Sequence, residues 1–334
     1  MLDTTDFNIL FEKFRQQKIL VIGDVMIDTY LWGNVARVSP EAPVPIVSGV
    51  IEENRLGGAA NVALNIRAMG AVPILCTVIG EDHRGQLFLE LLEEQNLSDL
   101  GLVMDGERVT TQKTRVISGN QHLLRVDEEM DMFISEEVQN TFLGLITDLL
   151  ESGGIDAMVM QDYDKGVLAP DLIAQLIDRA EKVSVPVLVD PKFRSFHLYK
   201  KVNLFKPNYK ELKQGLNLDI KKNDTKKLSE AVLKFQKEQE IDTFLVTLSE
   251  QGILTSKDGS YDHLPAVERV IADVSGAGDT VISLAALCLV GGLEAAEIAA
   301  ISNLAGGQVC EKAGVVPIDA KKLLAECNHH FKSS

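Results

Sequence analysis

Short apolar runs rich in β-branched residues alternate along this chain with segments that have the spacing of amphipathic helices. The candidate strands lie at residues 19–22, 74–79, 157–160, 187–189 and 244–248. Residues 170–182 place their apolar side chains on one helical stripe, and Ser135 followed by two glutamates predicts the start of another helix. Continuous apolar strands separated by helices require a sheet that is covered on both faces. The pattern therefore predicts an α/β fold with a mostly parallel central sheet.

Two regions interrupt this rhythm. Residues 29–50 and 110–127 alternate apolar and polar side chains without a helical pattern, which predicts antiparallel strands. We expect them to form a small sheet that is inserted into the α/β body and covers a cleft as a lid. Tyr30, Trp32 and Val38 would give this lid an apolar face for packing on the body or on a second subunit. The sequence has no internal repeat and no interdomain linker, so we expect one domain over residues 1–334.

The segment from Asp273 to Asp279 reads Asp-Val-Ser-Gly-Ala-Gly-Asp and is followed by an apolar run at residues 281–290. Glycines on both sides of Ala277 allow backbone amides to turn toward one point. A helix that begins beside Asp279 would direct the positive end of its dipole to the same point. Such a site would hold an anion next to a carboxylate, as phosphoryl transfer to a hydroxyl requires. The alternative is a tight turn in which Asp279 is an ordinary helix N-cap.

A second glycine-rich motif begins at Gly57 and Gly58 and contains Asn61. Paired glycines allow a ligand to approach the main chain, and the Asn61 amide offers both a donor and an acceptor to a sugar hydroxyl. A helix start after a loose turn, with small residues packed against the sheet, would explain the same residues.

Taken together, the two motifs resemble those of the ribokinase (PfkB) family of carbohydrate kinases. Other features of that family occur here in the same order, at residues 23–28, 208–211 and 247–252 and at Asn303. The resemblance covers essentially the whole chain. It implies a ribokinase-like three-layer α/β/α fold with a mostly parallel central sheet and a small β-sheet lid.

Within the family, the branch that phosphorylates heptose 7-phosphate is the most similar. This narrower resemblance is carried by residues 38–45, 120–127, 162–166 and 189–192. Two positions depart from it, since Gln161 stands where serine is usual and Asp164 where glycine is expected. Members of this branch usually form the amino-terminal half of a bifunctional enzyme. Because the sequence ends at Ser334, we expect it to perform only the kinase step.

The resemblance implies ATP-dependent phosphorylation of the C1 hydroxyl of heptose 7-phosphate, giving heptose 1,7-bisphosphate for ADP-heptose and lipopolysaccharide core synthesis. Asp279 would be the general base. The backbone amides of Gly276, Ala277 and Gly278 would form an anion hole. Because the chain contains no Walker A motif, Mg²⁺ would supply the remaining charge neutralisation.

The resemblance also implies a nucleotide and metal site. Asn208 and Glu211 would organise Mg²⁺ through water, and Thr247, Gly252 and Asn303 would contact ATP. Glu211 could instead serve only its own helix dipole, and Asn303 could pack locally.

By the same resemblance, Asp24 and Asp28 would accept hydrogen bonds from the sugar, with Gly57, Gly58 and Asn61 on its other side. An acidic pair directly after a strand could also be a turn. The phosphate already present on the substrate requires cations. The candidates on or near the lid are Arg37, Lys113, Arg115, Arg125 and Lys192, each of which could also be a solvated surface charge.

Composition limits the remaining choices. The formal net charge of −16 disfavours a nucleic-acid partner. Cys76, Cys288, Cys310 and Cys327 form no CxxC pair, which favours buried free thiols in a reducing compartment. The amino terminus lacks the basic region of a secretion signal, and the run at residues 281–290 is too short to span a bilayer. We therefore expect a cytoplasmic protein without a membrane partner. The family resemblance further implies a homodimer formed through the lid.

Three other interpretations remain open. Another kinase of the same family, acting on fructose phosphate, ribose or a nucleoside, would keep the fold and change the substrate. A dinucleotide-binding oxidoreductase would also contain a parallel sheet, but the chain lacks a strand–Gly-x-Gly-x-x-Gly–helix near its amino terminus. A catalytically inactive sugar sensor would have no need to retain Asp279 and the glycine loop before it.

Overall fold

The computed structural model describes residue 2 and the ranges 5–119 and 121–332, so residue 120 of the 120–127 segment lies outside the described residues. Within these ranges the chain forms ten α-helices and two β-sheets. The helices are α1 (Phe7–Phe14), α2 (Ala59–Ala68), α3 (His83–Glu94), α4 (Glu136–Glu151), α5 (Pro170–Lys182), α6 (Tyr209–Gly215), α7 (Thr225–Gln239), α8 (Ala277–Val290), α9 (Ala295–Val309) and α10 (Ala320–Lys332). The strands are β1 (Lys18–Gly23), β2 (Val25–Val38), β3 (Pro45–Gly58), β4 (Val72–Gly80), β5 (Gly101–Asp105), β6 (Gln112–Ser118), β7 (Gln121–Glu128), β8 (Ala157–Gln161), β9 (Val187–Asp190), β10 (Leu204–Phe205), β11 (Thr243–Thr247), β12 (Ile253–Lys257) and β13 (Ser260–Leu264).

The larger sheet has the order β13-β12-β11-β10-β9-β8-β1-β4-β5. Its strands from β11 to β5 pair in parallel, and β12 and β13 add an antiparallel edge. The five strands predicted from apolar runs are confirmed as β1, β4, β8, β9 and β11. The helix predicted at residues 170–182 is α5, and Ser135 caps α4 by accepting a hydrogen bond from the Val138 amide.

Helices cover both faces of this sheet, as continuous apolar strands require. One core lies under α1, α2, α3, α8, α9 and α10, and the other lies under α4, α5, α6 and α7. Alternate residues of β1 belong to the two cores, with Val21 in the first and Leu20 in the second. Each fully buried side chain of this size stabilises the fold by about 1.5–3 kcal/mol. All four cysteines are buried and unpaired, and none of the helices in the described ranges is long and apolar enough to cross a membrane.

The smaller sheet has the order β3-β2-β6-β7 and contains the two regions that interrupt the α/β pattern. The pairs β2–β3 and β6–β7 are antiparallel as predicted, but β2 and β6 pair in parallel, which corrects the expectation of a purely antiparallel lid. The parallel pair arises because the chain returns through the body and enters the small sheet again from the same end, where the Ile27 amide donates to the Thr111 carbonyl. Tyr30 packs inward beside Trp32, whereas Val38 is exposed.

The carboxyl ends of the central parallel strands carry most of the polar side chains discussed below. Gln161 ends β8, Asp190 ends β9, and Lys206 follows β10. The amino-terminal ends of α2 and α8 reach the same edge. Ligands of open α/β sheets bind at this edge, so the topology brings the two glycine-rich motifs and the strand ends into one cleft.

Candidate active site

Asp279 lies in the first turn of α8 and is only 3% exposed. The helix begins after Gly276, whose φ of 79° is a left-handed conformation that glycine adopts without strain. A Cβ atom at Gly276 would lie 2.8 Å from Nδ2 of Asn61. Glycine at this position therefore allows the two motifs to meet.

Three side chains donate hydrogen bonds to the Asp279 carboxylate. Asn61 Nδ2 donates to Oδ2 at 2.8 Å, Tyr163 Oη donates to Oδ1 at 2.7 Å, and Gln161 Nε2 donates to Oδ1 at 3.3 Å. Burial raises the pKa of Asp279 to about 6, whereas the bonds from Asn61 and Tyr163 lower it. The sequence interpretation placed Asn61 near the sugar and missed that Tyr163 and Gln161 reach the carboxylate.

Behind Asp279 lies a buried cation that the sequence interpretation missed. Lys206 is 2% exposed, and its Nζ lies 2.9 Å from Oδ2 of Asp190, which also accepts a bond from Gln161 Nε2 at 3.0 Å. A Cβ atom at Gly278 would lie 3.4 Å from Lys206 Nζ, so the ammonium group sits directly beside the start of α8. One sequence feature could have indicated this buried lysine. Lys206 directly follows a buried strand and directly precedes the proline and asparagine before α6.

The start of α8 has the character of an anion site. The first amides of a helix have no partner within the helix, and the helix dipole is positive at this end. The Ala277 amide reaches the Val274 carbonyl only at 3.4 Å. Together with Lys206, the amides of Ala277 and Gly278 give this point a positive potential in an otherwise acidic protein.

Asp24, predicted to bind the sugar, also anchors the turn after β8. It is 1% exposed, and its carboxylate accepts hydrogen bonds from the amides of Tyr163, Lys165 and Val167 at 2.9, 3.1 and 3.0 Å. These bonds take three of its four lone-pair positions and fix the turn. A contact between Asp24 and the sugar stays a prediction.

Asp28 and the glycine pair lie together at the inner end of the β2–β3 ribbon. Asp28 pairs with Arg115, with Oδ1 and Nη1 2.5 Å apart, and a Cβ atom at Gly57 would lie 2.3 Å from Asp28 Oδ2. Gly58 has a φ of 63° and ends β3 directly before α2. The glycine motif is thus the end of a lid strand rather than a loose turn.

The predicted phosphate-binding cations of the lid lie on three strands. Arg115 and Arg125 lie directly opposite each other on β6 and β7, while Arg37 is on the outer half of β2. Lys113 lies on the same face of β6 as Arg115, beside Asp28 in the register, and is paired with Asp127 and Glu129. Arg115 is paired with Asp28, and Arg125 with Asp127, whose hydrogen bonds raise the pKa of Arg125.

Lys192, predicted to bind the distal phosphate, lies between the end of β9 and the start of α6. Its Nζ forms an ion pair with Glu211 and lies 5.2 Å from the centre of the Tyr163 ring. Although burial opposes the charge, the carboxylates of Asp190 and Glu211 raise the pKa of Lys192. Its contact with a phosphate stays a prediction.

A cavity of about 920 Å³ opens beside the start of α8, which is large enough for a nucleotide. Four of the five positions predicted for the nucleotide and its metal line this cavity, whereas Glu211 does not. The four are Asn208, Thr247, Gly252 and Asn303, joined by Gly278 of the glycine loop. Asn303 Nδ2 also donates to the Pro265 carbonyl at 2.8 Å, so the local packing that we considered for this residue is present as well.

Asn208 and Glu211 form a capping box at the start of α6. The Glu211 amide donates to Asn208 Oδ1 at 2.9 Å, and the Asn208 amide donates to Glu211 Oε2 at 2.8 Å. Within the described ranges, no group of three or more His, Cys, Asp or Glu side chains could hold a metal ion. Glu211 is the one carboxylate of this pair, so an Mg²⁺ ion bound here would keep water and phosphate oxygens as its main ligands.

The two departures from the heptose-kinase pattern have clear structural explanations. Asp164 has a φ of 60°, a left-handed conformation that explains why glycine is expected there and that aspartate tolerates better than most residues. Its carboxylate is held by Arg194 Nε at 2.7 Å. Gln161, in the place of serine, reaches both Asp190 and Asp279.

Two solved structures illustrate the similarity of this fold to known proteins. Phosphofructokinase-2 from Escherichia coli in complex with potassium matches with a TM-score of 0.73 and 18% identity over 93% of this chain and 99% of that one. The ribokinase of Arabidopsis thaliana complexed with ribose and ATP matches with a TM-score of 0.70 and 18% identity over 92% of this chain and 98% of that one. At these identities the likeness shows a shared ribokinase-like fold.

Curated relatives are considerably more similar in sequence. The Bifunctional protein HldE of Citrifermentans bemidjiense is 38% identical over 325 residues, which cover 97% of this chain and 66% of the relative. The protein of the same name from Wolinella succinogenes is 40% identical over 296 residues, or 89% of this chain and 61% of the relative. The chain therefore spans less than two thirds of the length of these relatives.

A family model provides the broadest comparison. The model described as the pfkB family of carbohydrate kinases matches residues 16–321, which include both glycine-rich motifs, the small sheet and the cavity-lining positions. The resemblance expected from the sequence is thus confirmed, and the chain belongs to the pfkB family of carbohydrate kinases.

Proposed function

We propose that this protein transfers the γ-phosphoryl group of ATP to the C1 hydroxyl of D-glycero-β-D-manno-heptose 7-phosphate, forming heptose 1,7-bisphosphate. The observation that carries the proposal is the position of Asp279, which lies at the positive end of α8, in contact with Asn61 and next to the cavity. A carboxylate beside an anion site is the arrangement that phosphoryl transfer to a hydroxyl needs.

In this proposal Asp279 is the general base. The sugar hydroxyl donates its proton to the carboxylate as its oxygen bonds to the arriving phosphorus, while the bond from that phosphorus to the ADP oxygen breaks. The amides at Gly276, Ala277 and Gly278 stabilise the transferred group. Lys206 lies beside them as a fixed positive charge.

ATP would occupy the cavity lined by Thr247, Gly252 and Asn303. Asn208 and Glu211 would hold Mg²⁺ through water, and the ion would neutralise phosphate charge. Lys192 is paired with Glu211 in the structure. With Mg²⁺ near Glu211, the Lys192 ammonium group would lie close to the phosphates of the nucleotide.

The sugar would lie between Asp28, the Gly57–Gly58 ribbon and Asn61. Its distal phosphate would be bound by Arg115 and Arg125, which lie on facing strands of the lid and would exchange their present partners Asp28 and Asp127 for it. Guanidinium groups bind phosphate in a bidentate manner.

The heptose substrate is inferred from the curated relatives. They share 35–40% identity with this chain, and each is named as a bifunctional protein. We assign to this chain the kinase activity of such a protein, which places its product in the route to ADP-heptose and lipopolysaccharide core. A cytoplasmic location is part of the same proposal.

The test is a purified-protein assay with ATP and Mg²⁺ against heptose 7-phosphate, fructose 6-phosphate, ribose and a nucleoside. The product of the preferred sugar is then identified by phosphorus NMR. Phosphorylation of heptose 7-phosphate at C1 supports the proposal. Turnover of another sugar with heptose 7-phosphate inert would retain the kinase and reject the heptose assignment.

A further inference from the structure

We propose that Tyr163 is a positioning residue for the Asp279 carboxylate: its phenolic O–H donates to Oδ1, so that Oδ2 accepts the proton of the sugar hydroxyl. The inference rests on the proposed function in one respect, namely that Asp279 is the general base. It holds for any sugar that this site phosphorylates.

The two oxygens of Asp279 have unequal sets of donors. Oδ1 accepts from Tyr163 Oη at 2.7 Å and from Gln161 Nε2 at 3.3 Å. Among the side chains that the structure describes, Oδ2 accepts only from Asn61 Nδ2, at 2.8 Å. A carboxylate has about four lone-pair positions, two on each oxygen. Oδ1 is thus filled, and Oδ2 keeps one position for a further O–H group.

The turn that carries Tyr163 is held by hydrogen bonds along its whole length. Asp24 accepts from the amides of Tyr163, Lys165 and Val167, and the Lys165 carbonyl accepts from the buried side chain of Arg108. These contacts define the path of the backbone on both sides of Tyr163. The tyrosine is therefore held in place against Asp279, and Asp24 acts on the site through this turn.

The turn is also fixed from the side facing α6. Asp164 adopts its left-handed conformation with its carboxylate bound to Arg194, and Asp162 accepts a bond from Tyr199 Oη at 2.8 Å. Burial raises the pKa of Asp162, which lies beside Asp24. Because the turn makes this many contacts, the phenol of Tyr163 is held in one position against Asp279.

The phenol of Tyr163 remains a donor over the working pH range. Burial raises its pKa well above the ordinary value, and the neighbouring carboxylates of Asp279, Asp190 and Asp28 act in the same direction. Lys192 lies over the ring face. A phenylalanine would keep this ring contact and remove only the hydroxyl.

Several charged groups face Asp279 from neighbouring elements. Asp190 at the end of β9 raises the pKa of Asp279, and Lys206 after β10 lowers it, both acting in addition to the larger effect of burial. Lys192 also lies within the field of Asp279. The Tyr163 bond lowers the pKa of Asp279, so its loss should raise that pKa while these other charges stay in place.

The first test is the pH dependence of kcat/KM for Tyr163→Phe, measured with whichever sugar the protein phosphorylates. We expect the acid limb to move to higher pH, with a loss of about tenfold or more below the limb and a much smaller loss on the alkaline side. Tyr261→Phe is the control, because it removes a phenol on β13 that is 43% exposed and lies outside the turn. Its acid limb should stay where the wild-type limb lies.

A second readout does not depend on turnover. Carbon-13 NMR of protein labelled at aspartate carboxyls reports the pKa of Asp279 directly, and the signal is assigned by its loss in Asp279→Asn. The proposal expects a higher pKa in Tyr163→Phe than in the wild type. An unchanged pKa and an unchanged acid limb would overturn it, even where the protein proves to be a kinase of a different sugar.

Gln161→Leu provides a second variant should Tyr163→Phe fail to fold, as judged by circular dichroism and thermal unfolding. It removes the other donor to Oδ1 at similar side-chain volume. The same upward shift is expected, in smaller size because the bond is longer. If the pH dependence of kcat/KM were the same in Gln161→Leu and the wild type, the result would contradict the proposal that the donors to Oδ1 set the pKa of Asp279.

Discussion

Asn61 Nδ2 donates a hydrogen bond to Asp279 Oδ2 across 2.8 Å, which joins two glycine-rich motifs that are 218 residues apart in the chain. The contact depends on the packing of α2 against α8, where Thr280 Oγ1 donates to Asn65 Oδ1 and Ser283 Oγ donates to the Val62 carbonyl. The relative position of these two helices therefore decides whether the predicted base and the predicted sugar residues act at one point.

Asn61→Asp should abolish activity at neutral pH. The change places a second carboxylate against Asp279, and two such groups in contact raise the pKa of one of them by several units. We expect kcat to fall by about 100-fold or more. Asn328→Asp on α10 is a control with the same chemical change far from the site, and it should retain turnover. Equal activity in Asn61→Asp and the wild type would show that Asp279 is not the base.

Asp279→Asn should reduce kcat by about 10²–10⁴-fold, the range typical of a general base, while nucleotide binding persists. Binding is measured by calorimetry with a non-hydrolysable ATP analogue. Retention of wild-type turnover would remove the base assignment, and loss of nucleotide binding would indicate a structural defect.

The same variant should change how stability depends on pH. The pKa of Asp279 is about 6 in the folded protein, above its ordinary value of 3.8. The folded state thus binds the proton more tightly, and the unfolding free energy from this group decreases as pH rises from about 4 to 6. The wild type loses this contribution and the variant does not. The free energy of unfolding of Asp279→Asn, relative to that of the wild type, should therefore rise by up to about 3 kcal/mol between pH 4 and pH 7. Denaturant unfolding at several pH values measures this, and a pH-independent difference would contradict the raised pKa.

Gly276→Ala should impair catalysis more than it impairs stability. Alanine is strained at a φ of 79°, and its Cβ would press on the Asn61 amide that holds Asp279. Gly259→Ala is a matched control, since Gly259 has a φ of 77° and nothing lies within 4 Å of the added atom. Both variants should unfold about 1–2 kcal/mol more easily. Only Gly276→Ala should lose turnover. An equal loss of kcat in both variants would show that backbone strain alone, and not contact with Asn61, causes it.

Arg125→Ala should raise the KM for the sugar phosphate by about 10–100-fold and leave the KM for ATP unchanged, because one of two guanidinium groups at the distal phosphate is lost. Arg37→Ala is the control. Arg37 was an equal candidate in the sequence but lies on the outer half of β2, whereas Arg125 faces Arg115, the partner of Asp28. Identical sugar KM values for the two variants would show that the phosphate binds elsewhere.

In the homodimer that the family resemblance implies, a second copy would cover the exposed apolar residues of the small sheet. Ile51 is 69% exposed, Val38 62% and Leu124 58%. Ile51→Glu should shift the mass measured by light scattering from dimer toward monomer, whereas Ile9→Glu, on α1 and also exposed, should not. A monomeric wild-type protein would reject the dimer.

The layered fold followed from local patterns because burial imposes them on the sequence. The predicted helix at residues 170–182 has its apolar side chains, from Leu172 to Ala180, on one face, and its bounds coincide with those of α5. The parallel pairing of β2 and β6 could not be obtained in this way. A period of two residues indicates which face of a strand is buried, but it carries no information about the direction of the neighbouring strand.

The parts of the site that depend on backbone conformation could be predicted, because glycine-rich motifs indicate that conformation. The glycines before Asp279 indicated the start of α8, and Asp164 departs from glycine at a left-handed position. Side-chain partners were less accessible. Nothing in the sequence shows that three amides of a distant turn donate to the Asp24 carboxylate, or that Lys206 pairs with the buried Asp190 beside the start of α8.

The β2–β3 ribbon has one end inside the cleft and the other in solvent. Asp28 and Gly57 belong to the same hydrogen-bonded ladder as Val38 and Ile51, and Arg55 ties the inner part of that ladder to the carbonyls of Ala313 and Val315. Arg55 thus anchors the inner part of the ribbon, while the outer part carries exposed apolar side chains. The predicted sugar residues and the predicted dimer surface therefore lie on one hydrogen-bonded ladder, so a second copy bound at the outer end would contact the same pair of strands that lines the cleft.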